Sequence, residues 1–146
     1  MRGALAAIGG YISMFIVVFV CLTVAYLAVG TEGSFQPGSF EPSMLWIGIM
    51  IVVGLVAAIL GGIVCAKIGR GKGVKGLIGI VVVLSALQIV MQLASDPPEG
   101  KPETRPAEMS GWDAMQFAEQ PLWFSILNPI LAIVGIGIGT RKAGKE

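Results

Sequence analysis

Histidine is absent from this 146-residue chain, and cysteine occurs only twice, at Cys21 and Cys65. The usual general base near neutral pH is therefore missing, and no cysteine pair stands at metal-ligand spacing. Zinc, haem and iron–sulfur centres have no evident ligand set, and no cofactor is expected. Charge is scarce as well: 13% of the residues are charged and 55% are hydrophobic, against roughly 25% charged in soluble domains. The net charge is only +1, and no nucleic-acid partner is expected.

What the chain has in place of charge is four long apolar stretches, over about 4–29, 44–68, 74–94 and 122–139. Three reach the roughly 20 apolar residues that a membrane-crossing helix needs, and the fourth is marginal. The expected fold is an all-α membrane protein: one four-helix bundle over residues 1–146, with connecting segments at 30–43, 69–73 and 95–121. Arg2, Lys67, Arg70, Lys72, Lys75, Arg141, Lys142 and Lys145 flank the stretches on one side, and only Lys101 and Arg105 lie on the other. By the positive-inside rule the first side is cytoplasmic, so both termini are expected inside. Most acids collect outside: Glu32, Glu41, Asp96, Glu99, Glu103, Glu108, Asp113 and Glu119, against Glu146 inside. The first stretch approaches 25 residues, longer than the roughly 7–15 of a secretory signal, so an uncleaved helix is expected although Ala28-Val29-Gly30 has cleavage-site character. Cys21 and Cys65 fall about 12 and about 31 Å from the outer helix ends at 1.5 Å per residue, too far apart in depth to bridge. They read as small packing residues.

The first outer loop holds a tandem pentapeptide, Gly33-Ser34-Phe35-Gln36-Pro37 and Gly38-Ser39-Phe40-Glu41-Pro42. Its expected form is a short interfacial loop, Phe35 and Phe40 dipping into the headgroups while Pro37-Gly38 turns the chain; a partner-binding loop is the alternative. Ser43 suits the N-cap of the second helix. That helix carries two rows of small residues at spacing four, Ala57/Gly61/Cys65 and Ala58/Gly62/Ala66. Such rows let helix backbones approach closely, which is a main source of association in lipid, either within the chain or with another subunit. Gly135 and Gly139 form a similar pair on the last helix. The inner loop contains Lys67, Arg70, Lys72 and Lys75 among glycines, but no Ser or Thr follows its lysines and no strand precedes it, so it is no Walker A loop. A basic turn beside anionic lipid headgroups is expected.

Ser85, Gln88 and Gln92 give the third helix one polar face, at i, i+3 and i+7. An unpaired glutamine in hydrocarbon is costly, so these side chains should meet protein or water, through interhelical hydrogen bonds or in a polar pathway. The proline-rich, charged segment Asp96–Pro106 is expected to be extended and mobile. Beyond it, Ser110 can cap an amphipathic helix over Gly111–Glu119 with Trp112 and Met115 on its apolar side, lying on the outer membrane surface or docking an external partner. Trp46, Trp112 and Trp123, with Tyr26, form an aromatic belt at the outer interface. Pro129 should kink the last helix near Ser125.

The two halves echo one another weakly, each opening a helix at Trp46 or Trp123 and ending in glycines and basic residues. A true repeat would place the second and last helices in equivalent positions. The Trp-started apolar helix ending in Gly61-Gly62 and a basic turn, Ala57 to Lys75, resembles small bacterial four-helix inner-membrane proteins of uncharacterised function. That resemblance implies a multi-pass protein of the bacterial cytoplasmic membrane and no activity. Claudin-like proteins carry a Trp and cysteine signature in their first outer loop that is absent here, and small multidrug exporters carry a glutamate in their first helix, also absent. Isolated Ser13, Ser85 and Ser125 lack a His, Lys or Asp partner at their depth, so no enzyme is expected. The leading expectation is a noncatalytic membrane protein that acts by association with lipids and with itself or other membrane proteins, as a homo-oligomer or an accessory subunit. A small transporter or channel for a neutral solute, lined by Ser85, Gln88, Gln92 and the Asn128 region, is the alternative.

Overall fold

The computed structural model describes residues 2–144, and Lys145 and Glu146 lie outside the described residues. The chain forms helices α1 (Arg2–Ser34), α2 (Met44–Gly69), α3 (Val74–Ala94), α4 (Gly111–Gln116) and α5 (Leu122–Ala143). All but α4 are long and apolar enough to cross a membrane, and no strand occurs among the described residues. This is the architecture of a multi-pass, all-helical membrane protein.

α1 runs past the end of its apolar stretch. Gly30 has φ 73° and ψ 177°, breaking the helix in a conformation that side-chain-bearing residues rarely adopt. One further turn then forms through Ser34, whose hydroxyl donates to the Gly30 carbonyl at 2.7 Å. The unbroken part, residues 2–29, is about 42 Å long, still well beyond a hydrocarbon core of about 30 Å.

α2 is the centre of the bundle, touching α1 and α5 extensively and α3 slightly, while the α1 and α5 backbones stay apart. Its two rows of small residues divide between two neighbours. Towards α1, a Cβ on Gly10 would come within 2.9 Å of both Cys65 Cβ and the Gly61 carbonyl oxygen. One on Gly69 would come within 2.7 Å of Ala6 Cβ, so α1 and α2 run antiparallel. Towards α5, a Cβ on Gly62 would lie 2.5 Å from the Ile136 carbonyl oxygen and one on Gly135 2.6 Å from Ala58 Cβ. A Cβ on Gly139 would collide with the Ile59 backbone, so α2 and α5 run parallel. Ala57, Ala58, Gly61, Gly62, Cys65, Gly135 and Gly139 are all buried inside the single chain.

α1 has its own matching face, Gly3, Ala6, Ala7 and Gly10, spaced i, i+3, i+4 and i+7. Gly3 lies against the Lys72 carbonyl, and Gly10 meets Leu77 of α3, so α3 packs on α1 at the end of the bundle that carries the basic α2–α3 turn. Ala6, Ala7, Ala58, Cys65, Leu77, Val81 and Ile136 close that end as one buried cluster. At the opposite, acidic end α3 is tied to α5 instead, through Gln92 and Ser125. The long side chains of Leu5, Ile8, Phe15, Phe19, Val24 and Leu27 stay exposed on the perimeter, the surface that lipid solvates. α5 continues as one helix through Pro129. The two hairpins are not packed alike, since α2 touches three helices that cross the bundle and α5 only two.

Gly139→Leu should force α5 off α2 and lower stability by about 1–3 kcal/mol, the usual scale of overpacking. Gly137→Leu, two residues away with open space around its α-carbon, should be nearly neutral. Unfolding from mild detergent by titrated dodecyl sulfate separates the two outcomes.

Candidate functional site

The two segments at the acidic end fold together into a cap. Phe35 and Pro42 form an isolated antiparallel bridge, and Gln36 N–H donates to the Glu41 carbonyl at 2.9 Å. Pro37 and Gly38 turn the chain between them, Gly38 taking φ 67° as the third residue of a type II turn requires. Ser43 accepts from Trp46 N–H at 3.1 Å and caps α2, while its own hydroxyl donates to the Gly33 carbonyl.

The two phenylalanines of the tandem pentapeptide do not reach outward to headgroups; they are 5% and 3% exposed. The cause is the second segment lying across them. Arg105 sits 5.7 Å from the centre of the Phe35 ring, and the Lys101 ammonium 5.1 Å from that of Phe40. Phe117 meets Phe40 edge to face at 5.6 Å. Each unit of the repeat thus supplies one ring, and each ring receives one cation.

Arg105 is the main fastener. Its backbone N–H donates to the Gly38 carbonyl at 2.9 Å, and its Nε donates to the Ser39 carbonyl at 3.1 Å. Its Nη1 donates to Glu32 at 2.8 Å. Its side chain is 2% exposed. The guanidinium's hydrogen bond and charge hold the Glu32 carboxyl, beyond Gly30 and outside the apolar stretch, below its ordinary pKa. The ion pair is therefore intact above the usual carboxylate range and weakens as acid protonates Glu32. Lys101 pairs with Glu119, whose N–H donates to the Phe40 carbonyl at 3.0 Å. The proline-rich segment is thus held at two points, leaving Asp96, Pro97, Pro98 and Glu99 exposed.

α4 is shorter than the pattern through Glu119 suggests, because the chain leaves the helix at Phe117 to place that ring on Phe40. Ser110 caps it, accepting from Asp113 N–H at 3.1 Å. Tyr26 of α1 donates to the Gly111 carbonyl at 3.0 Å, tying α4 to the bundle, and packs edge to face on Trp46 at 5.8 Å. Trp46 is half-buried beneath the cap, whereas Trp112, Met115 and Trp123 are exposed at the same end.

The charge consequence is simple. Among the described residues the only two basic side chains of this end are turned into the cap, so its surface displays Glu41, Asp96, Glu99, Glu103, Glu108 and Asp113, all exposed. At the other end Lys67, Arg70, Lys72 and Lys75 are exposed around the α2–α3 turn. That turn is closed by Arg70 in the left-handed region, its N–H donating to the Ala66 carbonyl.

The polar residues of α3 separate into two kinds. Gln92 is fully engaged: its amide donates to the Gln120 carbonyl, and its oxygen accepts from Ser125 at 2.7 Å. Ser85 and Gln88 make no side-chain hydrogen bond among the described residues. Arg105, Lys101 and the small face of α1 are the structural residues that sequence patterns passed over; only the last had a local signal, its spacing. No family model, curated protein or solved structure matches the chain.

Gln92→Leu strands the Ser125 hydroxyl and the Gln120 carbonyl and should destabilise the bundle by about 1–3 kcal/mol, whereas Gln88→Leu should cost little. Dodecyl sulfate titration of the two variants tests the contrast. Arg105→Lys keeps the charge but loses the fork that spans Ser39 and Glu32. It should speed amide exchange in residues 36–41 and 101–106 by about tenfold or more, with helix amides unchanged, as read by hydrogen–deuterium exchange mass spectrometry.

Proposed function

We propose that the chain is a noncatalytic subunit of the bacterial cytoplasmic membrane that acts by association, with both termini cytoplasmic and the cap on the outer face. The loop-charge asymmetry supports this orientation. The basic turn then meets anionic headgroups on the inner side, and Trp112, Met115 and Trp123 lie at outer-interface depth, with α4 along the surface.

The inward turn of Lys101 and Arg105 carries the functional reading. It leaves a folded, acidic face on a chain whose small-residue rows are already filled by its own helices. Association through the cap therefore favours a partner with a basic extramembrane surface, making the chain an accessory subunit. Two acidic caps repel each other, which disfavours a homo-oligomer built on this face.

Extraction from native membranes in mild detergent should yield a stoichiometric complex with such a partner. Raising salt from about 0.1 M to about 1 M, which shortens the screening length from about 10 Å to about 3 Å, should dissociate it. The triple variant Glu99→Gln, Glu103→Gln and Glu108→Gln should bind at least about tenfold more weakly. A strictly monomeric particle, with no partner recovered by crosslinking in native membranes, contradicts the reading.

A further inference from the structure

A cavity of about 220 Å³ lies among the four long helices, towards the acidic end of the bundle from the buried cluster. Gly54 of α2 gives it room on one side; half-buried Tyr11 and Ser85 and exposed Gln88 and Asn128 bring polar groups to its walls from α1, α3 and α5, and it opens where Gln88 and Asn128 stand. None of these four side chains makes a hydrogen bond among the described residues. Gln88 also lines a separate, larger hollow of about 580 Å³ beneath the segment 118–121, beside Gln92 and Asp96, so this side chain stands between the cavity and that hollow. Towards the basic end it is shut by Cys65, Leu77 and Ile136, each fully buried.

We propose that this cavity is a blind binding pocket for a small, uncharged, hydrogen-bonding molecule, a site distinct from the cap and independent of its partner. Two amides and two hydroxyls offer both donors and acceptors. Apart from the Tyr11 phenol no ionisable side chain among the described residues lines the cavity, so a charged ligand would lose its hydration with no counter-charge to replace it. An amide or alcohol of modest size meets both conditions. The closed basic end makes the feature a site of binding rather than a passage.

The test uses the full chain in lipid nanodiscs with Cys21→Ala, retaining the buried Cys65. Ser85→Cys places a thiol in the cavity, and Leu87→Cys places one at similar depth on the exposed perimeter. Hydroxyethyl methanethiosulfonate, small, neutral and water-soluble, should modify the first at least about tenfold faster, because a thiol in lipid ionises poorly. Benzamide should slow that reaction several-fold, while benzoate and benzamidinium, of nearly the same shape but charged, should not. Adding Gln88→Leu and Asn128→Leu should weaken benzamide protection by about tenfold, the scale of two lost hydrogen bonds, with the thiol still reactive. Equal reactivity at positions 85 and 87 overturns the pocket. Reaction without benzamide protection, or equal protection by the charged analogues, overturns the assignment of a neutral ligand.

Discussion

Backbone contact along α2 is the constraint on which the rest of the molecule depends. In lipid, helices gain nothing by hiding apolar side chains from one another, so association rests on van der Waals contact at short range. α2 obtains that contact twice, with Gly61, Cys65 and Gly69 against α1 and with Ala58 and Gly62 against α5. The two faces are about 100° apart round α2 and are used at similar depths, so α1 and α5 are held on adjacent flanks with their backbones apart. α3 is left to cross the gap, packed on α1 at the basic end and bonded to α5 at the acidic end. The space it does not fill is the cavity that contains Ser85, Gln88 and Asn128.

The acidic end is organised by a different force. Beyond the long apolar helices the chain has few apolar residues to bury, and it builds a fold from three phenylalanine rings, two cations and two carboxylates. Arg105 joins residues far apart in sequence, 32, 35, 38 and 39, and Lys101 joins 40 and 119. Using both cations internally concentrates negative charge on the cap surface. The structure of the cap and its surface charge therefore have one cause.

Hydropathy located the four long helices because lipid imposes length and apolarity on each span independently of its neighbours. The rows on α2 were visible for a related reason: spacing of four on a helix defines a face without reference to any partner. Which neighbour each row meets was not visible, since Gly10 and Ile136 stand in other helices. The burial of Phe35 and Phe40 escaped the sequence because it depends on cations some 60 to 70 positions away, and a local pattern of aromatic residues beside turns reads equally well as an interfacial loop. Gln88 and Gln92 share a face by spacing, yet only Gln92 reaches Ser125 and Gln120. α4 ends early because Phe117 is drawn to Phe40, a long-range contact that outweighs helical periodicity.

The most direct test of intramolecular α2 packing is solid-state NMR in lipid bilayers on isotopically labelled chain diluted into unlabelled copies. Close proton contacts between Gly62 and Ile136, and between Gly10 and Cys65, should keep their full relative intensity at every dilution, because each pair belongs to one molecule. Loss of these contacts in proportion to dilution would show that the small-residue rows bind another copy, and would contradict the account.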